Sequence, residues 1–133
     1  MTPSANSITI ITSSFNDDTS LEKTAISIAN QTIIPYWVII DNNSTDSTKK
    51  IIKNYSHIVS TFVSEPDLGI YDAWNKALPY VQSEWILFLG AGDLLIDPHL
   101  IETAKLHLDN NYPLCYGNVL NIDRRGNLMF KLS

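Results

Sequence analysis

Residues 85–93 read Trp-Ile-Leu-Phe-Leu-Gly-Ala-Gly-Asp, and this stretch decides the fold. Its run of five apolar residues predicts a strand that is buried on both faces, as strands inside a parallel sheet are. Two glycines then end the strand and let another group approach the backbone closely. Asp93 follows at the point where the strand leaves the sheet, which is where open α/β sheets bind ligands. Asp93 is therefore a candidate metal ligand, and a carboxylate that caps a turn is the alternative.

Strand-like and helix-like segments alternate along the rest of the chain. We predict strands over residues 7–12, 36–40, 57–63, 85–89 and 114–122, and helices over 20–30, 47–55, 70–79 and 98–110. Residues 128–132 are interpreted as the start of a returning strand. This alternation predicts an α/β fold in which residues 1–133 form one domain. Its sheet is mostly parallel and Rossmann-like, with helices on both faces, because each crossover between parallel strands is right-handed.

Composition limits the class of partner. The 133 residues carry a net charge of −5, and no basic stripe is visible, so we do not expect a nucleic-acid partner. No stretch reaches the roughly 18 apolar residues that a membrane span needs. Residues 1–6 show no signal-peptide pattern, so we expect a cytoplasmic location, with peripheral membrane association left open. Cys115 is the single cysteine, and we expect it to be a buried small hydrophobe.

Polar side chains are concentrated in four loops that each follow a predicted strand, over residues 12–18, 41–46, 67–72 and 90–93. Because parallel strands end at the same edge of a sheet, we expect these loops to meet. They supply carboxylates, amides and hydroxyls with almost no cation, so an anionic ligand would need a divalent metal ion, Mg²⁺ or Mn²⁺. Phe15 offers a flat face on which a base can stack, and Asp41 and Asn42 offer hydrogen bonds to a base or ribose.

Five motifs occur in series: Ile-Ile-Thr-Ser-Ser-Phe-Asn at 10–16, Asn-Gln-Thr at 30–32, Val-Ile-Ile-Asp-Asn-Asn-Ser-Thr-Asp at 38–46, Ser-Glu-Pro-Asp-Leu-Gly-Ile-Tyr-Asp-Ala-Trp-Asn-Lys-Ala at 64–77, and the stretch at 85–93. Over residues 7 to about 105 this series resembles the family-2 glycosyltransferases of the GT-A fold. The resemblance implies transfer of a sugar from a nucleotide-diphosphate donor, most often UDP-linked, to a hydroxyl of a glycan or lipid-linked acceptor. It also implies inversion at the anomeric carbon, help from Mn²⁺ or Mg²⁺, and a role in polysaccharide or glycoconjugate synthesis.

The resemblance also implies which residues form the nucleotide-sugar site, namely Thr12, Ser13, Phe15, Asn16, Asp41, Asn42, Asp67, Gly69 and Asp72. Within this set, Phe15 would lie against the base, and either Asp41 or Asn42 would occupy the base-reading position. Asp93 matches the last carboxylate of the family's Asp-x-Asp or Asp-Asp element, which makes it the implied metal ligand.

The chain departs from the family pattern at two points. The preceding acidic position of this element is Gly92 in the Asp-Asp form, or Ala91 in the Asp-x-Asp form, so one carboxylate near the metal is missing. The family's catalytic base is a carboxylate on the acceptor-binding part, which we expect beyond Ser133. No catalytic residue is therefore nominated, because a hydroxyl nucleophile needs a base within hydrogen-bond reach. The domain is interpreted as the N-terminal donor-binding part of a truncated GT-A domain.

Two other interpretations remain open. The first is a non-catalytic nucleotide-binding or scaffold fragment of such an enzyme. The second is a sugar nucleotidyltransferase, although residues 13–18 lack the Gly-rich basic loop that this class needs. An incomplete domain would also expose apolar surface around Leu128, Met129 and Phe130, and we expect self-association through that surface.

Overall fold

Four parallel strands form the main sheet of the computed structural model, which describes residues 7–115, 117, 119–122, 125 and 128–132. The strands are β1 (Ile8–Ser14), β2 (Tyr36–Asp41), β3 (Thr61–Ser64) and β4 (Trp85–Phe88), in the spatial order β3-β2-β1-β4. The helices are α1 (Asp18–Ala29), α2 (Thr48–Asn54), α3 (Ile70–Ala77) and α4 (Leu100–His107), and a 3-10 turn, Leu78–Tyr80, extends α3. A separate antiparallel pair consists of β5 (Val119–Ile122) and β6 (Leu128–Leu132).

Helices cover both faces of the main sheet, as the alternation of segments predicts. On one face, α1 contributes Leu21, Ala25 and Ile28 to a buried cluster with Ile10 and Trp37 of the two central strands. On the other face, Ala73 and Ala77 of α3 pack against a second cluster, which contains Ile11, Val38 and Ile40. Burial of these β-branched and aliphatic side chains removes apolar surface from water and is the main stabilising term of the fold.

The strand register aligns polar residues at the carboxyl edge of the sheet. Ser14, the last residue of β1, pairs with Asp41, the last residue of β2, and Asp41 pairs in turn with Ser64 at the end of β3. At the other side of β1, Ile11 pairs with Phe88, and the backbone N–H of Leu89 donates to the carbonyl of Ile11 at 3.0 Å. The loops after all four strands therefore start from one edge, as predicted.

The prediction that residues 85–89 form a strand buried on both faces is wrong. Alternate residues of β4 are exposed, with 38% of Ile86 and 45% of Phe88 accessible to solvent. The reason is position, because β4 is an edge strand among the described residues of this sheet. Trp85 and Leu87 pack against the cluster that α1 covers, whereas Phe88 on the other face is only partly covered, by Trp74 of α3 with ring centroids 4.1 Å apart.

The prediction of a fifth parallel strand over residues 114–122 is also wrong. β5 is shorter than predicted, lies outside the main sheet and pairs antiparallel with β6, the returning strand expected at 128–132. A short connection between two strands permits only antiparallel pairing, whereas a parallel pair needs a long crossover. Cys115 precedes β5 and is exposed, so its predicted burial is wrong too. The predicted apolar surface at Leu128, Met129 and Phe130 concerns side chains that lie outside the described ones.

The third strand is displaced from its predicted range of 57–63. β3 begins only at Thr61, because residues 55–60 turn after α2, with the N–H of Ile58 donating to the carbonyl of Tyr55 at 3.0 Å. Across the part of the chain that the structure describes, every helix is too short or too polar to cross a bilayer.

Candidate functional site

Asp41 is the buried centre of the carboxyl edge. Its carboxylate accepts hydrogen bonds from the hydroxyls of Ser14 and Ser64, each at 2.8 Å, and from both the backbone N–H (2.8 Å) and the hydroxyl (2.5 Å) of Ser44. The side chain is fully buried. A buried carboxylate is tolerated only when donors replace the water it has lost. Asp41 therefore holds together the ends of β1, β2 and β3 and the loop after β2.

The loops after β1 and β2 are joined by a reciprocal pair of hydrogen bonds. The backbone N–H of Asn16 donates to the hydroxyl of Ser44 at 2.9 Å, and the backbone N–H of Thr45 donates to Oδ1 of Asn16 at 2.8 Å. Asn16 adopts a left-handed conformation with φ 46°, which asparagine tolerates better than most residues. Asn16 thus fixes one loop against the other.

A second reciprocal pair lies at the first turns of α1 and α2. The N–H of Asp18 donates to Oδ2 of Asp46, and the N–H of Ser47 donates to Oδ2 of Asp18, both at 3.1 Å. Asp46 also accepts from the hydroxyl of Thr48 at 2.6 Å and from its N–H at 3.0 Å. These contacts, with the Thr48 hydroxyl as the largest cause, lower the pKa of Asp46 below its ordinary value.

A cavity of about 280 Å³ opens between the loops after β1, β2 and β3 and the start of α3. Its lining consists of Ser13, Ser14, Phe15, Asn42, Asp67, Gly69, Ile70 and Ala73. Phe15 lies among them with 59% of its surface accessible. Burial of this open aromatic face against a ligand would be favourable. The cavity therefore combines a free aromatic face with polar groups.

Asn42 and Asp67 join the second and third loops at this cavity. Oδ1 of Asn42 accepts from the backbone N–H of Asp67 at 2.9 Å, and Oδ1 of Asp67 accepts from the backbone N–H of Gly69 at 2.9 Å. An N–H can bond only to an acceptor, so the first contact fixes the orientation of the Asn42 amide. The NH₂ group of Asn42 is then available to donate to a ligand. Gly69 precedes α3 with φ 116°, which other residues rarely adopt.

Asp72 supports the third loop and does not line the cavity. Its Oδ2 accepts from the backbone N–H of Leu68 at 2.9 Å and lies 3.7 Å from Nζ of Lys76. Lys76 also pairs with Glu65 at 3.2 Å and donates to the carbonyl of Pro66 at 2.7 Å. The charge of Lys76 is thus already compensated by two carboxylates.

Asp93 closes the turn after β4. Its Oδ2 accepts from the N–H of Gly90 at 2.9 Å, and its own N–H donates to the carbonyl of Gly90 at 3.0 Å. The turn-capping role that the sequence left open is therefore present. The side chain is exposed, and its other oxygen, Oδ1, has no hydrogen-bond partner among the described residues. Asp93 does not line the cavity, although its turn starts beside the end of β1.

The donor set near Asp93 fits only one kind of metal site. Within the described ranges, no group of three or more His, Cys, Asp or Glu side chains is placed to hold a metal ion. A site made of protein side chains alone is therefore not available there. One free carboxylate oxygen suits Mg²⁺ or Mn²⁺ in the mode in which substrate phosphates and water complete the coordination.

The structure brings together part of the residue set implied by the sequence. Five of the implied residues line the cavity, namely Ser13, Phe15, Asn42, Asp67 and Gly69. Thr12 is fully buried, and its hydroxyl accepts from Nε1 of Trp37 at 2.9 Å. Asn16, Asp41 and Asp72 hold the loops by the contacts given above. Of the two alternatives for the base-reading position, Asn42 lines the cavity and Asp41 lies beneath it.

Two polar side chains of α1, Thr24 and Ser27, were not singled out from the sequence, whereas Gln31, two residues beyond the helix, belongs to the Asn-Gln-Thr motif at 30–32. Thr24 and Ser27 are three residues apart, so they lie along one face of the helix. The hydroxyl of Ser27 accepts from the N–H of Leu95 at 3.1 Å, and Gln31 donates to the carbonyl of Asp97 at 2.8 Å. Polar residues at helical spacing are the signal for such a face, whereas the apolar stripe of a helix indicates only the side that faces the core.

A family model described as "Glycosyl transferase family 2" matches residues 9–133. A PGL/p-HBAD biosynthesis glycosyltransferase of Mycobacterium bovis is 31% identical over 100 residues, which cover 71% of this chain and 39% of that relative. A putative teichuronic acid biosynthesis glycosyltransferase of Bacillus subtilis is 33% identical over 91 residues, which cover 65% of this chain and 36% of the relative. The chain thus spans less than two fifths of the length of these two curated relatives.

Solved structures show the same fold. A mannosyltransferase of Pyrobaculum calidifontis, in complex with GDP-Man and Mn²⁺, matches 88% of this chain and 35% of its own, with a TM-score of 0.69 at 24% identity. TarS of S. aureus, in complex with UDP-GlcNAc, matches 75% of this chain and 30% of its own, with a TM-score of 0.68 at 22% identity.

Proposed function

The chain belongs to glycosyl transferase family 2, and on that premise we propose that its cavity binds the nucleoside part of a nucleotide-diphosphate sugar, with a UDP-sugar as the donor. The observation that carries the proposal is the pairing of an open aromatic face, Phe15, with an oriented amide, Asn42, in one cavity. At about 280 Å³ the cavity lies near the lower end of the range for ligand pockets, about 300 Å³. This size suits a base and ribose, with the diphosphate and sugar extending outside the cavity.

The base stacks on Phe15 and is read by the NH₂ group of Asn42. Stacking of a base on an aromatic side chain contributes about 1–3 kcal/mol per base in single-strand binding proteins. Because the N–H of Asp67 fixes the orientation of the Asn42 amide, its NH₂ group is placed to donate to a carbonyl oxygen of the base. Ser13 and Asp67 also line the cavity, and we assign their hydroxyl and carboxylate as the partners of the ribose.

Charge argues for a metal ion beside the diphosphate. Asp67 lines the cavity, Asp93 is exposed at the same sheet edge, and Lys76 is already paired with Asp72 and Glu65. A diphosphate would therefore meet carboxylates without a free cation among the described residues nearby. Asp93 holds Mn²⁺ or Mg²⁺ through its free oxygen, in line with the Mn²⁺ in the solved mannosyltransferase. Such an ion stabilises the charge that develops on a departing diphosphate.

The acceptor is a hydroxyl of a glycan or a lipid-linked saccharide, and transfer inverts the anomeric carbon. The names of the two relatives, which refer to PGL/p-HBAD and teichuronic acid biosynthesis, support a role in polysaccharide or glycoconjugate synthesis. The described residues provide the donor side of this reaction, and no catalytic base is assigned among them. A non-catalytic donor-binding role is the second candidate, because Ala91 and Gly92 stand before Asp93 where the family pattern has a second carboxylate.

Calorimetric titration of the chain with UDP and GDP, each with and without Mn²⁺, tests the proposal. We expect UDP to bind in the presence of Mn²⁺ and Phe15→Ala to weaken that binding. Tyr36→Ala is the matched control, because Tyr36 is a partly exposed aromatic residue at the opposite, amino end of β2. Absence of binding by both nucleotides, or equal losses in the two variants, contradicts the proposed site. Release of sugar from a nucleotide-sugar panel, dependent on acceptor, excludes the non-catalytic alternative.

A further inference from the structure

A single buried hydroxyl holds the backbone of the turn that carries Asp93. Oγ1 of Thr24, on α1, accepts from the N–H of Gly92 at 2.8 Å and donates to the carbonyl of Asp93 at 2.9 Å. The carbonyl of Ser20 is a more distant alternative acceptor at 3.4 Å. Thr24 is fully buried, so water does not compete for these bonds. A hydroxyl has one hydrogen and two lone pairs, so both contacts to the turn form at the same time.

The turn has little freedom to find another position. Gly92 adopts φ 98°, and a Cβ at this residue would lie 3.3 Å from the Cβ of Ser20. The turn therefore passes close to α1, where Thr24 fastens it. On its other side, Oδ2 of Asp93 bonds to the N–H of Gly90. Backbone and carboxylate are thus both held, which leaves Oδ1 in one orientation at the carboxyl edge of the sheet.

We propose that Thr24 is a positioning residue for the metal and diphosphate, acting through Asp93. This inference rests on the proposed function, in which Asp93 holds the metal ion. With only one carboxylate available, orientation matters more than in a site with several protein ligands. Groups that orient a metal ligand typically change metal affinity roughly 10- to 100-fold when removed.

A neighbouring hydroxyl on α1, that of Ser27, provides a control that distinguishes an effect on the position of Asp93 from an effect on protein stability. Ser27 lies one helical turn after Thr24 and accepts from the N–H of Leu95, two residues beyond Asp93. Ser27 therefore fastens the same segment to the same helix without touching the turn that carries the carboxylate. Ser27→Ala is the matched control for Thr24→Val, since each substitution removes one hydroxyl from α1.

The test uses the whole chain with UDP and Mn²⁺. Binding of Mn²⁺ is followed by its electron paramagnetic resonance signal, and thermal unfolding is measured in parallel. We expect Thr24→Val to weaken UDP-dependent Mn²⁺ binding about 10-fold, whereas Thr24→Ser retains it because the hydroxyl remains. Ser27→Ala should lower the unfolding temperature without changing Mn²⁺ affinity.

A double variant tests whether Thr24 acts through Asp93. If it does, Thr24→Val adds no further loss of Mn²⁺ binding in an Asp93→Asn background, because coupled residues are not additive. Three results overturn this inference but not the metal role of Asp93. They are an unchanged Mn²⁺ affinity in Thr24→Val, an equal loss of Mn²⁺ affinity in Ser27→Ala, and fully additive losses in the Thr24→Val/Asp93→Asn double variant. Failure of the wild-type chain to bind Mn²⁺ in the presence of UDP overturns the metal role of Asp93 and this inference together.

Discussion

The side-chain oxygen of Asn42 accepts a hydrogen bond of 2.9 Å from the backbone N–H of Asp67. This contact joins the loop after β2 to the loop before α3, and both residues line the same cavity. Because the N–H requires an oxygen acceptor, the orientation of the Asn42 amide is fixed and its NH₂ group can donate to a ligand. Replacement of the amide nitrogen of Asn42 by an oxygen should therefore change which ligand the cavity recognises.

The first prediction is that Asn42→Asp weakens UDP binding. The variant keeps an acceptor for the Asp67 N–H but replaces the NH₂ donor with a carboxylate oxygen close to an anionic ligand. We expect a loss of about tenfold, or ~1.4 kcal/mol, measured by calorimetry with Mn²⁺ present. Asn43→Asp is the control, because this substitution adds the same charge in the same loop. Asn43 is exposed and does not line the cavity. Equal effects of the two variants would refute the role of Asn42.

The second prediction concerns the buried carboxylate beneath the cavity. Asp41→Ala removes the acceptor of four hydrogen bonds and leaves the N–H of Ser44 buried without its partner. We expect the free energy of unfolding to fall by about 2–4 kcal/mol, measured by urea denaturation. Asp17→Ala should change it by less than about 0.5 kcal/mol, because Asp17 is exposed and its side chain makes no capping hydrogen bond to α1. A small effect at Asp41 contradicts its structural role.

The third prediction is a pH dependence that arises from Asp46. The Thr48 hydroxyl and the N–H groups of Thr48 and Asp18 hold the pKa of Asp46 below its ordinary value of 3.8. A lowered pKa in the folded state means that the carboxylate stabilises the protein at pH values above 3.8, and that this contribution is lost as the pH falls from 3.8 through the folded-state value. Wild type and Asp46→Asn should therefore differ in stability at pH 6 and converge at strongly acidic pH.

The titration of Asp46 can be followed directly by NMR of its carboxyl carbon. Thr48→Val removes the largest cause of the shift, so we expect the pKa of Asp46 to rise toward 3.8 in that variant. An unchanged pKa in Thr48→Val would show that the hydroxyl is not the cause.

The fourth prediction compares two glycines. Gly92 and Gly69 both have positive φ, but a Cβ at Gly92 would lie 3.3 Å from the Cβ of Ser20, whereas a Cβ at Gly69 would meet nothing within 4 Å. Both alanine substitutions introduce backbone strain of about 1–3 kcal/mol. Gly92→Ala should cost more in urea denaturation because it also forces the turn away from α1. A larger loss for Gly69→Ala would contradict the close packing of that turn.

The fold class follows from the sequence because alternating segments leave few topologies. The β-branched runs that became β1 and β2 and the apolar stripes of α1 and α3 identify a parallel sheet covered on both faces. The same runs do not distinguish an edge strand from a central one. The exposure of Ile86 and Phe88 in β4 therefore cannot be predicted from the sequence, since it depends on which elements lie beside this strand.

The sequence indicates which loops contribute to the candidate site, but not which hydrogen bonds each residue makes there. Asp41 and Asn42 are neighbours of similar size, and the sequence leaves both as base readers. Their roles separate only through the strand register, which places Asp41 between Ser14 and Ser64. Thr24 was not predicted because its partners, Gly92 and Asp93, are backbone groups 68 and 69 residues away. Every residue has a backbone carbonyl and nearly every residue a backbone N–H, so the sequence does not indicate which of these groups a side chain will bind.

The reciprocal bonds between the loops after β1 and β2 have a consequence for the speed of ligand capture. The side chains of Asn16 and Asp18 accept from the N–H groups of Thr45 and Ser47. In the reverse direction, the N–H groups of Asn16 and Asp18 donate to the side chains of Ser44 and Asp46. The two loops therefore lose their conformational entropy when the chain folds, so ligand binding is not opposed by the entropy cost of ordering these loops. This wall of the cavity should behave as a preformed surface, so encounter with the base is expected to be limited by diffusion and charge more than by rearrangement of these loops.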